Sequence, residues 1–105
     1  MFHKIQTSGA AVRESVASTR AVYGISVASE LSGFPVQTLR LYEARGLVAP
    51  HRSDGGTRRY SSDDLDRLNQ ISDLVDQGLN IAGIAMVLDL QSQNRALQAQ
   101  LDEAL

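Results

Sequence analysis

Gln37, Thr38, Arg40, Tyr42 and Arg45 crowd one short stretch of the chain, and a glycine-led run, Gly55-Gly56-Thr57-Arg58-Arg59-Tyr60, follows it. An arginine can bridge two acceptors on a guanine edge, and a glutamine can pair in the same way with adenine. Arginines on a loop opened by glycines can approach closely enough to neutralise phosphate. The chemistry on offer is recognition of a double helix, with Arg45 and Arg52 as flanking cations. Each assignment has a plainer alternative. Arg40 could pair with Glu43 or Glu30 on a solvated surface, and Arg58 and Arg59 could be ordinary hairpin charges. Tyr42 and Tyr60 could be core residues with the hydroxyl at the rim. His51 stays outside the candidate set, because a lone loop histidine is more often simply solvated.

Two short helices and a ribbon must position these groups. Tyr23 to Ile25 reads as an extended lead-in, and Ser26 as the N-cap of a helix reaching Leu31 or Ser32. Gly33 suits the left-handed turn between helices, and Pro35 suits the first turn of the next, which runs to about Arg45 and stops at Gly46. On that second helix Val36, Leu39 and Tyr42 form the inward stripe, leaving Gln37, Arg40, Leu41 and residues 43–45 outside. Gly46 to Pro50 then leads into a small β-ribbon with Ser53-Asp54-Gly55-Gly56 at its tip and Thr57 to Tyr60 as its return arm.

Ser61, backed by Asp63 and Asp64, opens a third helix that ends at Gly78. Asn80 opens a fourth, with Ile81, Ile84, Val87 and Leu88 on its buried side. Val87, Asn94 and Leu101 recur every seven residues, as do Leu90, Leu97 and Ala104. This spacing makes Leu90, Asn94, Leu97 and Leu101 the candidate dimerisation residues, with Asn94 restricting register if it is buried in the seam. Only about two heptads are available, and the alternative is a terminal helix that covers the domain with Asn94 facing water. The expected organisation is a flexible arm over 1–22, a domain over 23–89 and a pairing helix over 90–105. The expected fold class is mainly α: a winged helix-turn-helix with a small β-ribbon wing, two further helices and a short C-terminal pairing helix.

Bulk composition narrows the chemistry. The 105 residues carry a net charge of −2, unevenly divided: +1 over 1–39, +3 over 40–59 and −6 over 60–105. The cations therefore coincide with the candidate reading helix and ribbon. Zero cysteines exclude disulfides and thiol chemistry, and the two histidines, His3 and His51, lack metal-ligand spacing. No serine has a placed base, and Asp63 and Asp64 fit a helix start better than an acid–base pair. The expectation is a non-enzyme without metal or cofactor. No run approaches the roughly 18 apolar residues of a membrane span, so a soluble cytoplasmic protein is expected.

Taken in order, Ile25-Ser26-Val27-Ala28, Gly33, Gln37-Thr38-Leu39-Arg40-Leu41-Tyr42-Glu43, Gly46-Leu47-Val48, Arg58-Arg59-Tyr60 and Leu65 resemble the N-terminal domain of the MerR family of transcription regulators. With Gly78-Leu79-Asn80-Ile81-Ala82-Gly83-Ile84, the likeness is greatest to its HspR heat-shock repressor branch. The resemblance implies a homodimer on a palindromic site in double-stranded DNA, with recognition helices in successive major grooves, wings on the flanking backbone and terminal helices paired antiparallel. It implies exposed recognition positions at Gln37, Thr38 and Arg40, a backbone-anchoring aromatic at Tyr42, and a wing at Arg58, Arg59 and Tyr60. This sequence departs from the family pattern with Pro35 where an N-capping Ser is frequent, and with Leu41 where Tyr, His or Gln is frequent. The branch likeness implies a DnaK-type chaperone as co-repressor. The competing reading is a MerR-like protein-binding module that modulates a chaperone or co-chaperone without touching DNA.

Overall fold

A three-stranded antiparallel sheet and four helices make up residues 20–105, the part of the chain that the computed structural model describes. In chain order these are β1 (Ala21–Tyr23), α1 (Ile25–Ser32), α2 (Val36–Ala44), β2 (His51–Arg52), β3 (Arg58–Ser61), α3 (Ser62–Asp76) and α4 (Ile81–Ala104). The sheet order is β1-β3-β2, so the ribbon gains a third strand on its β3 edge. Ala21 faces Ser61 and Tyr23 faces Tyr60, with an irregularity between them. Most of the arm expected over 1–22 lies outside the described residues, but Ala21 and Val22 belong to β1 and correct that boundary.

Backbone contacts divide the chain into two units, the first ending at Gln70 and the second covering Ile71–Leu105. In the first, strand pairing carries the chain to Gly24, and α1 begins at once. Gly24 is therefore the N-cap (φ −73°, ψ 171°), and Ser26 lies inside the helix. Gly33, with φ 81°, ends α1 and donates its N–H to Ser29 O (2.9 Å). That left-handed conformation disfavours any residue with a Cβ. Pro35 stands one position before α2 as its N-cap, with its carbonyl accepting from Thr38 N and Leu39 N at 2.9 and 3.1 Å. Ala28, Leu39, Leu47, Tyr60 and Leu68 are fully or almost fully buried.

Ser61 and Asp64 open α3 reciprocally: Ser61 Oγ accepts from Asp64 N (3.0 Å), and Asp64 Oδ2 accepts from Ser61 N (2.9 Å). Both helix-start donors are satisfied by side chains. In the second unit α3 ends before Gly78, at φ 91°, and Asn80 Oδ1 caps α4 by accepting from Gly83 N (2.9 Å). Ile71, Ile84 and Leu88 are buried. No Gly or Pro interrupts residues 84–105, so the expected fourth helix and the pairing helix are one 24-residue helix. No helix among the described residues is long and apolar enough to cross a membrane.

Candidate nucleic-acid interface

The α2 surface follows from its periodicity. Leu39 and Tyr42 are buried, whereas Gln37, Arg40, Leu41, Ala44 and the capping Arg45 are exposed. At 3.6 residues per turn these five fall on a single arc of about 140°. Gln37, Arg40 and Arg45 thus share one face, and Thr38 is half-buried at its margin. The turn before α2 is held by side chains: Ser29 Oγ donates to Phe34 O (2.6 Å), and Phe34 N donates to Ser32 Oγ (3.2 Å). Phe34 meets Tyr42 edge to face, with centroids 5.2 Å apart at 84°. Tyr42, at 6% exposure, is an anchor of this turn, and burial raises its phenol above the ordinary range.

The ribbon folds on its own tip, where Ser53 N donates to Thr57 O (2.8 Å) and Gly56 N to Ser53 O (2.8 Å). Its register pairs Arg52 with Arg58 and His51 with Arg59. Alternation along each strand puts the two pairs on opposite faces. The Arg52–Arg58 face meets α2 through Glu43. Arg58 Nε donates to Glu43 Oε1 (2.5 Å) and Arg52 Nη2 to Glu43 Oε2 (3.1 Å), while Arg52 Nη1 donates to Gly56 O (2.9 Å). Partial burial by itself would raise the Glu43 carboxyl; hydrogen bonds and charge from Arg58 and Arg52 outweigh it and hold the group below the ordinary carboxylate range.

One carboxylate therefore ties both ribbon strands to the exposed helix. Arg67 Nε adds a tether from α3 to Leu47 O, in the segment that joins α2 to β2. Arg40, Arg45 and Arg59 make no guanidinium hydrogen bond or ion pair to another described residue. Among the described residues, the arginines at 40, 45, 52, 58 and 59 thus divide into two that tie the ribbon to the helix and three without such a bond. Tyr60 is 0% exposed, and its hydroxyl meets no partner among the described residues, so the side chain belongs to the core. Burial, with the nearby Glu43 charge, raises that phenol. Sequence reasoning missed the bridging role of Glu43. The available signal was that Glu43 is the only acid between Glu30 and Asp54, set among arginines at 40, 45 and 52. Among the described residues, no group of His, Asp or Glu could hold a metal ion.

Along α4, Val87, Leu90, Asn94 and Leu97 line one open groove. Leu90, Leu97 and Leu101 are more than half exposed, and Asn94 is exposed beside them.

Two helices joined by a tight turn, with a basic ribbon strapped to the second, define a winged helix-turn-helix domain. Residues 23–91 match the sequence model described as MerR HTH family regulatory protein. The chain belongs to the MerR family of transcriptional regulators. It is 48% identical over 83 residues to a Streptomyces coelicolor protein named as the heat shock protein HspR, a match covering 78% of this chain and 55% of that one. The chain thus spans little more than half of that relative's length. The N-terminal part of MtaN, the Bacillus subtilis multidrug transporter activator, superposes with a TM-score of 0.61 at 32% identity, covering 77% of this chain and 86% of that one. HiNmlR, a MerR family regulator solved bound to promoter DNA, shares the fold with a TM-score of 0.57 at 24% identity, over 77% and 74% of the two chains.

Proposed function

We propose that this chain is a sequence-specific regulator of transcription that reads double-stranded DNA through the exposed face of α2 and grips the flanking backbone with its wing. The observation that carries this reading is the Glu43 bridge. It fixes the ribbon against the helix while leaving Arg40, Arg45 and Arg59 without a partner among the described residues. In this arrangement Gln37 and Arg40 read bases, Thr38 and Arg45 border them, and Arg59 takes phosphate. Arg52 and Arg58 set the angle of the wing and present their remaining N–H groups at its edge. Tyr42 and Tyr60 support the surface from behind. A MerR relative bound to promoter DNA supports the same mode at the level of the fold.

The regulator acts as a homodimer paired along α4 through Leu90, Asn94, Leu97 and Leu101, with residues 90–105 as the pairing segment of a continuous helix. We further propose that it represses transcription with a DnaK-type chaperone as co-repressor, as its resemblance to the HspR branch implies. The test is selection from a random duplex pool by the full chain. Enrichment of two symmetric half-sites is expected, and Arg40→Ala should weaken the selected site by about tenfold or more, the worth of one good base contact. Failure to enrich any duplex overturns the reading.

A further inference from the structure

The exposed arc of α2 holds one large apolar side chain. Leu41 is 40% exposed, although it sits on a helix whose inward stripe already supplies Leu39 and Tyr42. Its angular position, at 100° per residue, is between Gln37 and Arg45, one turn after Gln37 and three residues before the small Ala44. A leucine there keeps apolar surface in water in the free protein, and a contact that covers it would be favourable. On a helix laid in the major groove, its neighbours Gln37 and Arg40 satisfy hydrogen-bonding edges, whereas Leu41 has no donor or acceptor to offer. The apolar feature on the floor of that groove is the 5-methyl group of thymine, which is contacted by apolar side chains. Ala44, with only a methyl group one turn on, leaves the helix free to approach.

We propose that Leu41 is a specificity-determining residue that selects a thymine methyl within each half-site. The inference rests on the DNA-reading assignment above and deepens it, adding a van der Waals contact to the polar ones. Burying one methyl-sized group against apolar surface favours binding by about fourfold, the equivalent of about 0.8 kcal/mol.

The experiment takes the duplex enriched by the full chain and replaces its half-site thymines with deoxyuridine, one position at a time in both half-sites. This exchange removes the methyl group and leaves every hydrogen-bonding edge intact. The expected result is that one position weakens the wild-type chain by about fourfold per half-site, while Leu41→Ala binds the thymine and uracil duplexes equally. Leu41→Gln, which keeps length and adds a polar end, should also lose the discrimination. If no uracil substitution weakens the wild type, or if the effect persists unchanged in Leu41→Ala, the inference is overturned while the DNA reading stands. If no duplex is enriched at all, both fall together. Because Leu41 lies outside the core, circular dichroism of both variants should match the wild type.

Discussion

At the scale of single residues, Glu43 decides more than any arginine. Its side chain is only one-fifth exposed and serves two guanidinium groups, so truncation leaves two partly covered cations without their partner. Glu43→Ala should destabilise the fold by about 1–2 kcal/mol, measured by urea unfolding, and should also weaken DNA binding by freeing the wing. The folded carboxyl lies below its unfolded range, so its stabilisation is complete above the unfolded value and disappears as pH falls through the folded one. Acid titration of Glu43→Gln should therefore lack part of the stability loss that the wild type shows below about pH 4, and identical acid profiles would contradict the bridge. Tyr60 gives the opposite expectation. Its buried hydroxyl makes no hydrogen bond to a described residue, so Tyr60→Phe should unfold at the same or a higher temperature and keep its DNA affinity. A marked loss of affinity in that variant would return Tyr60 to the interface. Residue types made the arginines and Gln37 conspicuous in the sequence. Which arginine faces the helix and which faces outward was not legible there, because it depends on the register of β2 against β3, fixed by a turn that brings Arg52 opposite Arg58.

At the scale of elements, local chemistry left the clearest traces in the sequence. Gly33, Gly46 and Gly78 all adopt positive φ where the helices stop, and Ser61 and Asn80 cap the helices that follow. Those signals act within four residues and can be read locally. The start of α1 could not, because Ser26 is a good cap by type, yet the pairing of β1 with β3 brings the chain to Gly24 already extended. Strand β1 itself was only half legible: its partner lies 37 or more residues away, and three residues carry no usable alternation. The α4 helix presents a different problem. Its leucines at 90, 97 and 101 stay exposed in the single chain, which is unfavourable for a helix unless a partner covers them. Leu97→Glu with Leu101→Glu in the full chain should convert a dimer to monomer in sedimentation while leaving helical circular dichroism nearly unchanged. A dimer that survives the pair of changes would place the interface elsewhere.

At the scale of the whole molecule, charge is segregated along the sequence, with +3 over residues 40–59 against −6 over 60–105. An acidic chain can still bind a polyanion when its cations are concentrated at the surface that meets it. The association constant should fall linearly with salt concentration on logarithmic axes, and Arg59→Ala should reduce the slope by about one per bound chain. A slope unchanged in Arg59→Ala would remove that residue from the phosphate contacts. The uncovered leucines of α4 carry a quantitative consequence for the cell. If two chains must meet along that helix before either can hold its site, dilute conditions leave most copies single, and promoter occupancy rises with the square of protein abundance. Halving synthesis would then lower occupancy roughly fourfold at low saturation, so that expression level itself becomes a threshold control on the target promoter.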